Sequence, residues 1–318
     1  MEVSLRRQGA YRAHTCCMAS KPQWCQFGWQ GIRVETPRDW SLSRVQGDRD
    51  KGYLRLDDEY AVRAELRWER PRKGGEPFDR IVERFVDQMR KLAGRKMRLE
   101  VTRHLKLDGP AEHEWEALRC SGDAKALWLL ARCPTCGRVT GLSLLPRPGR
   151  AVERELADRV FRSLQDHSGD GLDLWDVYDV RFRIPQELRL RKTSLRTGSI
   201  ELSFSDGRRE YYVRRLSLAQ LVLRDTPLAD WLQGAEASAL KGFGYEVYSA
   251  TMHGHDAIRL LGQMTLGRRL LSRRVRRRYY HAYAWHCPRL DRIYIMRAIT
   301  LDEDDEAFEA HAGTLECH

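Results

Sequence analysis

Alternation of apolar and polar residues marks short β-strands in two separate parts of the chain. Residues 53–56 read Tyr-Leu-Arg-Leu and residues 200–204 read Ile-Glu-Leu-Ser-Phe, the period of two that half-buried antiparallel strands show. Each segment follows an earlier alternating strand that ends near a proline, Pro37 in one case and Pro185 in the other. The two regions therefore predict the same arrangement of strands and turns.

Apolar residues at three- and four-residue spacing predict helices after these strands. Residues 78–92 form an amphipathic pattern that ends at Gly94, and glycine is a common helix stop. Residues 226–240 predict a shorter helix with Pro227 in its first turn, where proline loses no helical hydrogen bond. Each region is expected to close on a further helical segment, at residues 150–167 and 302–318.

A third pair of matching blocks shows that the chain repeats itself. The block from "EHEWEALRCSG" to "CPTCGRVTGLSLLP" aligns with the block from "GHDAIRLLGQ" to "HCPRLDRIYIMRAIT", and both final segments end in histidine, "SLQDH" and "TLECH". The matching positions are His113 with His255, Cys133 with Cys287, and Arg138 with Arg292. Repetition of this kind predicts a structural unit that is present twice in the chain. We expect an α+β protein of two tandem antiparallel-sheet domains, each β-β-β-α-β-β-β-α, with helices packed on the sheet.

Changes in composition predict where these domains begin and end. A cluster of Ser, Gly and Asp near residue 170 separates the copies, which places the first domain at residues 29–172 and the second at 173–318. Residues 1–28 are predicted to be a flexible basic tail without the apolar core of a secretory signal. Met18 is an alternative start position within that tail.

The opening strand and turn of the first copy carry a family resemblance. Ile32, Val34, Pro37 and Trp40 form the pattern I-x-V-x-x-P-x-x-W. Together with the order of elements, this pattern resembles the PsbP/DcrB-like α+β fold, here in tandem. The resemblance implies a binding or assembly module rather than an enzyme, and it supplies no catalytic motif to transfer to this chain.

Composition narrows the class of protein further. The 318 residues are 42% hydrophobic and 32% charged, and no apolar run approaches the roughly 18 residues that a membrane-spanning helix needs. We therefore expect a soluble, globular protein with no membrane partner. Eight cysteines without an export signal indicate reduced thiols and a cytoplasmic location.

The string Cys-Pro-Thr-Cys-Gly at residues 133–137 predicts a possible structural zinc site. Such a tight turn aims two sulfurs at one ion, but a closed site needs four ligands. Pairing of the neighbouring strands is expected to place His113 opposite Pro134, beside Cys133. The proposed ligand set is Cys133, Cys136, His113 and His167, with Cys120 as an alternative member.

Other interpretations of these residues remain open from sequence. A buried cysteine is a small apolar residue, and Cys-Pro marks a hairpin turn. A redox Cys-x-x-C pair normally opens a helix, whereas a strand pattern follows here. His113 and His255 each fit a role as a hairpin-capping residue. In the second copy Leu290 stands in place of Cys136. The residues that remain for a mixed His/Cys site are His286 and Cys287, with His255 and the terminal Cys317 and His318.

An arginine-rich segment at residues 268–280 is the strongest binding candidate. It lies in the stretch by which the second copy exceeds the first, and it holds seven of the arginines that make the net charge +11. Guanidinium groups bind phosphates or carboxylates and tyrosine rings stack on bases, so the expected partner is an acidic protein or a nucleic acid. A solvated surface with packed Leu and Val side chains is the alternative. The candidate residues are Arg268, Arg269, Arg273, Arg274, Arg276, Arg277, Arg278, Tyr279 and Tyr280.

The sequence lacks the common catalytic motifs, which lowers the expectation of an enzyme. It contains no P-loop, no dinucleotide-binding glycine pattern, no nucleophile elbow and no H-E-x-x-H. The expected function is a non-enzymatic binding or scaffold protein, with a zinc-stabilised nucleic-acid-associated protein as the alternative. An enzyme with a pocket between the domains, using His113 or His255, is a third hypothesis.

Overall fold

A computed structural model describes residues 23–71, 75–93, 98–123, 125–265, 267, 277–303 and 306–317. Within these ranges the chain forms two units in sequence. Each unit has a two-stranded hairpin, a seven-stranded antiparallel sheet and helices packed on both sides of that sheet. The α+β fold of two tandem sheet domains, expected from the repeated strand pattern, is confirmed.

The first unit begins with a hairpin that joins β1 to β2. Its elements are β1 (Trp24–Trp29), β2 (Ile32–Pro37), β3 (Ser41–Gly47), β4 (Lys51–Asp57), β5 (Val62–Glu69), α1 (Phe78–Ala93), β6 (Leu99–Thr102), β7 (Glu114–Gly122), β8 (Ala126–Arg132), β9 (Val139–Leu144) and α2 (Arg154–Arg162). Residues 24–28, placed in the flexible tail by sequence, belong to β1, because they pair along their length with β2.

The second unit repeats this order with one additional short helix. Its elements are β10 (Leu172–Val177), β11 (Val180–Pro185), β12 (Arg189–Arg196), β13 (Ser199–Ser205), β14 (Glu210–Ser217), α3 (Ala219–Val222), α4 (Leu228–Leu240), β15 (Phe243–Met252), β16 (His255–Met264), β17 (Tyr279–Cys287), β18 (Arg292–Thr300) and α5 (Glu306–Ala312).

The two large sheets have the same strand order. The first runs β3-β4-β5-β9-β8-β7-β6 and the second runs β12-β13-β14-β18-β17-β16-β15, so every strand of the second unit lies nine places after its counterpart. Over the described residues, each unit has nine strands rather than the six expected from sequence. The extra strands arise because the leading segment folds back as a hairpin and the segment after the middle helix adds an edge strand.

Alternating side chains divide each sheet into two packed faces. In β8, Leu127, Leu129 and Ala131 point into the central cluster of buried apolar residues, whereas Leu130 packs with α1. In β17, Tyr283 and Trp285 belong to the central cluster, and Ala282 and Ala284 at the alternate positions pack with α4. The period of two seen in the sequence thus corresponds to burial on both faces, under the middle helix on one side and under the hairpin and the last helix on the other.

The hairpins of the two units pack against each other and join their cores. The rings of Trp29 and Trp175 meet edge to face with centroids 5.0 Å apart. Gly28 allows this approach, because a Cβ at that position would lie 2.5 Å from the Leu174 carbonyl oxygen. Buried apolar residues therefore form one continuous cluster that extends through both units.

In the described ranges of the chain, every helix is too short or too polar to cross a lipid bilayer.

Candidate metal centre

The Cys-Pro-Thr-Cys segment forms the turn that connects β8 to β9. The Cys133 amide donates to the Arg138 carbonyl at 3.0 Å, and the Gly137 amide donates to the Cys133 carbonyl at 2.9 Å. Gly137 has φ of 71°, a left-handed conformation that favours glycine. The turn thereby brings both sulfurs to the same end of the sheet, with Cys133 buried and Cys136 half-buried.

Strand pairing carries His113 to this turn. The β7–β8 register pairs Glu114 with Arg132, and continuing it by one residue places His113 opposite Cys133. The sequence predicted His113 opposite Pro134, so the observed register differs by one residue. The Nδ1 and Nε2 atoms of His113 are shielded from solvent and have no hydrogen-bond partner among the described residues. Burial lowers the pKa of His113, so its ring is neutral and able to act as a ligand.

The segment after α2 supplies the remaining groups. Gln165 forms a two-way backbone bridge with Arg33 of β2, with both N···O distances 2.9 Å. This bridge holds the next residues, Asp166 and His167, against the Cys133 turn. The Cys133 Sγ lies 3.4 Å from the His167 Nε2, and the Cys136 Sγ donates to the Asp166 Oδ2 at 2.7 Å.

These side chains form two overlapping groups that share Cys133. The candidate ligand atoms of Cys133, Cys136 and His167 all lie within 4.8 Å of one another, as do those of His113, Cys133 and Asp166. The structure thus places three of the four predicted ligands in the first group and the fourth, His113, in the second, and it adds Asp166, which sequence reasoning missed. Cys120 does not belong to this cluster, because its Sγ lies beside the Met89 sulfur of α1 at 3.9 Å.

A buried arginine provides the counter-charge for Asp166. Arg138 has 1% of its surface exposed and forms an ion pair with Asp166, and its Nη1 also donates to the Gln30 and Arg49 carbonyls at 3.0 and 2.9 Å. Burial and the hydrogen bond to Asp166 raise the pKa of the Cys136 thiol to about 12. A bound divalent cation would offset the free energy needed to deprotonate this thiol, because a coordinated thiol is deprotonated outright.

The cluster borders a cleft between the two units. The cleft has a volume of about 370 Å³ and is lined by groups from both units, among them Cys136 and His167 from the first and Gln186 and Arg189 from the second. Arg49 crosses the same boundary, where it forms an ion pair with Asp173 and donates to the Gln186 carbonyl at 3.2 Å. The candidate centre is therefore reached from the junction of the units.

A matching cluster lies in the second unit. The candidate ligand atoms of His255, Cys287 and Cys317 lie within 4.8 Å of one another, with the His255 Nε2 3.5 Å from the Cys317 Sγ. The sequence matched His255 with His113 and Cys287 with Cys133. Of the other residues expected in this set, His286 is not part of the group and lies 3.9 Å from Asp291, and His318 lies outside the described residues.

The structure describes only part of the arginine-rich segment. Arg268, Arg269, Arg273, Arg274 and Arg276 lie outside the described residues. Arg277 is exposed, whereas Arg278 is 8% exposed and donates to the Glu210 carboxylate at 2.7 Å.

The two tyrosines of this segment differ in burial, as its last two arginines do. Tyr279 is half-buried and borders an open cleft of about 610 Å³. Tyr280 is 0% exposed and donates to Glu236 at 2.9 Å beneath α4. The expected stacking of Tyr280 on a base is incompatible with this burial, because neither ring face reaches the surface. Arg278 is likewise occupied, by its ion pair with Glu210 at the start of β14.

The cleft beside Tyr279 brings further charged residues next to the arginine-rich segment. Arg208 and Arg209, in the turn between β13 and β14, line it together with Arg277, and Asp206 and Asp302 line it as well. Arg209 is paired with Asp206 at 2.9 Å, and Arg208 is exposed. The sequence did not link this turn with the segment, because the two are about 70 residues apart and only sheet pairing brings them together.

Comparisons with known proteins show limited similarity. No protein-family model matches the sequence, and no curated protein matches it significantly. The structure is similar to the Ran-binding protein Mog1p of Saccharomyces cerevisiae, with 13% identity and a TM-score of 0.28 over 46% of this chain and 87% of that one. It is also similar to the T6SS immunity protein TplEi of Pseudomonas aeruginosa. With its "L" peptide, TplEi matches at 11% identity and a TM-score of 0.32, over 92% of this chain and 98% of that one. The apo form matches at 12% and 0.28, covering 92% and 96%.

Proposed function

We propose that this chain is a non-enzymatic, cytoplasmic binding protein that presents the arginine-rich segment of its second unit to an anionic partner. One observation carries the proposal. The connection between β16 and β17 runs from residue 265 to residue 278, whereas its counterpart between β7 and β8 has only residues 123–125. Since the equivalent strands of the first unit are joined by this much shorter connection, the fold does not require the longer one.

The surroundings of this connection favour an anionic ligand. Seven arginines lie within residues 268–278, and the exposed Arg208 and Arg277 border the same cleft. Guanidinium groups bind phosphate and carboxylate oxygens in a planar, bidentate geometry. An acidic protein surface and a nucleic acid share this chemistry. The resemblance of both units to the PsbP/DcrB-like fold is part of the proposal, since that group consists largely of binding modules.

Charge removal combined with a salt titration tests this function. The test variant changes Arg273, Arg274, Arg276 and Arg277 to Ala and keeps Arg278, whose loss would leave Glu210 without its ion-pair partner. The control removes the same charge from the exposed face of α1, at Arg80, Arg84, Arg90 and Lys91. Binding of a labelled single-stranded oligonucleotide and of polyglutamate is measured by fluorescence anisotropy at about 50 to 300 mM salt. Over this range, the release of counterions on binding makes the affinity depend measurably on salt.

The test variant is expected to bind at least about tenfold more weakly, with a shallower dependence on salt, because fewer counterions are released. The α1 control is expected to bind like the unmodified chain. Preference for one of the two probes identifies the class of partner. Equal loss in both variants, or binding that does not vary with salt, would overturn the proposed role of the segment.

The cluster in the first unit favours a second element of function, a structural zinc ion. Four of its groups have the chemistry of a zinc knuckle, namely the thiols of Cys133 and Cys136 and the imidazoles of His113 and His167. His113 carries this interpretation, because two buried ring nitrogens without a partner are costly unless an ion or a water satisfies them. Bound zinc would connect the Cys133 turn to the segment after α2.

Metal analysis tests the zinc proposal. Protein purified under reducing conditions is expected to retain zinc, and a strong chelator is expected to lower its melting temperature, as follows when a ligand binds only the folded state. Cys133→Ser is expected to lose the ion. Cys120→Ser is the matched control, since Cys120 is also buried but lies beside Met89. Equal zinc content in both variants would refute the site.

A further inference from the structure

We infer that the second unit binds its own Zn²⁺ ion through His255, Cys287 and Cys317. This site is distinct from the arginine-rich surface and from the first-unit cluster. The inference follows from three features of the fold that place these residues together, each of which recurs in the first unit.

The first feature is strand register. The β16–β17 hairpin pairs Ala257 with Trp285, and continuing that register outward by two residues places His255 opposite Cys287. His113 and Cys133 face each other in the same way across the β7–β8 hairpin. Facing side chains in an antiparallel pair have Cβ atoms about 5 Å apart, which suits two ligands of one ion.

The second feature is the backbone bridge that anchors the segment after the last helix. Glu316 bridges to Arg181 of β11 through an N···O contact of 2.9 Å, as Gln165 bridges to Arg33 of β2. The next residue is Cys317 in the second unit and Asp166 in the first. The third ligand position is thus conserved in space while its chemistry changes from carboxylate to thiol.

The third feature is a side-chain clamp two residues earlier. Thr314 accepts the Arg183 amide through its Oγ1 at 2.8 Å, and Ser163 accepts the Glu35 amide through its Oγ at 2.8 Å. Each hydroxyl also donates to the preceding helix, to the His311 carbonyl at 2.6 Å and to the Val160 carbonyl at 2.8 Å. The Thr314 hydrogen bonds and the Glu316 bridge together fix the backbone just before Cys317, and therefore the direction of its side chain.

The separation between the imidazole and one of the thiols fits tetrahedral coordination. Zn–S and Zn–N bonds of about 2.3 and 2.0 Å place two such ligand atoms about 3.5 Å apart. The observed separation of the His255 Nε2 and the Cys317 Sγ is 3.5 Å. Cys287 and Cys317 are 0% and 4% exposed, so an ion held between them would be shielded from solvent. Two thiolates and one imidazole leave one coordination position for water, an arrangement that zinc adopts in proteins.

Metal stoichiometry decides the question. Protein purified with a phosphine reductant is loaded with Zn²⁺ and dialysed, and zinc per chain is measured by mass spectrometry. We expect two ions in the unmodified chain, one in Cys287→Ser, one in Cys133→Ser and none in the double variant. Substitution with Co²⁺ is expected to give thiolate charge-transfer absorption that decreases in each single variant.

The design separates this inference from the first-unit site and from folding defects. If the first unit binds no metal, the unmodified chain holds one ion and Cys287→Ser holds none. His255→Asn, at a half-buried position, serves as the second variant should Cys287→Ser fail to fold, and circular dichroism verifies both. Full zinc content in a folded His255→Asn protein, or a Cys287–Cys317 disulfide in freshly isolated protein, would overturn the inference.

Discussion

The first and second units share one strand order, but they differ at the end of the sheet where β7 meets β8 and β16 meets β17. The first unit closes with residues 123–125, and the second extends through residues 265–278. The register of the flanking strands is nevertheless continuous in both units. A sheet therefore tolerates a long basic insertion between two of its strands, because the strands on either side provide the hydrogen-bonded pairing and the buried core.

The Cys/His clusters of the two units differ in composition rather than in position. The first combines His113 and Cys133 with Asp166, and adds Cys136 and His167. The second combines its matching His and Cys with Cys317. The first cluster borders the cleft between units. We therefore expect the two units to respond differently when equivalent residues are changed.

The largest effect is expected from a change at the contact between the units. Trp175→Ala removes a ring that is 1% exposed and packs against Trp29 and Phe204. We expect a loss of about 4 kcal/mol in the free energy of unfolding. Because the apolar cluster is continuous, urea unfolding is expected to remain a single transition that shifts as a whole.

The control for this change is Trp128→Ala. Trp128 packs edge to face on Phe85 of α1, with centroids 5.1 Å apart, away from the contact between the units. If Trp175→Ala instead produced two transitions, one of them unchanged, the units would be independent and the shared core would be disproved.

The next effect compares two equivalent arginines. Arg138→Met leaves Asp166, whose side chain is 4% exposed, without its ion-pair partner. Breaking a buried pair by removing one member costs about 3 kcal/mol. Arg292→Met breaks the pair with Asp179, in which the two side chains are 25% and 30% exposed. This loss is expected to stay below about 1 kcal/mol, because Asp179 keeps its ion pair with Arg215 at 2.6 Å and solvent screens the remaining charge.

Thermal and urea unfolding of the two variants in the same buffer measure this difference. Equal destabilisation by both variants would show that the buried pair in the first unit has no special role in its stability.

The smallest effect concerns pH. Burial lowers the pKa of His113 in the folded protein, so below about pH 6.5 the unfolded chain binds more protons at this residue than the folded chain does. The stability of metal-free protein is therefore expected to fall as the pH decreases through that range. His113→Gln should flatten this dependence relative to the unmodified chain. Urea titrations of both proteins at pH 7.5 and 5.5 provide the comparison, and an equal loss of stability in both would contradict it.

Much of the fold was predictable because local patterns carry it. The alternation in residues 53–56 and 200–204 corresponds to β4 and β13, and the apolar spacing of residues 78–92 corresponds to α1. The hairpin β1–β2 was missed because its first strand, with Gln26 and Gly28 among aromatic residues, shows no clear alternation. Its strand character comes from pairing with β2 and packing against the second unit.

The candidate site was predictable in membership but not in geometry. The Cys-Pro-Thr-Cys turn and the repeated histidines identified His113, Cys133, Cys136 and His167. The register that places His113 opposite Cys133 rather than Pro134 depends on how β7 pairs with β8. Asp166 gave no signal on its own, since one acidic residue before a histidine is ordinary.

The sequence alone determined that this protein is a duplicated α+β unit with a basic insertion in its second copy, because repetition, alternation and charge are properties of neighbouring residues. Tertiary structure decided which of the basic and aromatic residues remain available. It buried Arg278 and Tyr280, joined the cores through Trp29 and Trp175, and gathered ligands from three separate segments. These outcomes depend on pairing and packing between residues far apart in the chain, where the free energy of burial rather than local preference selects the arrangement.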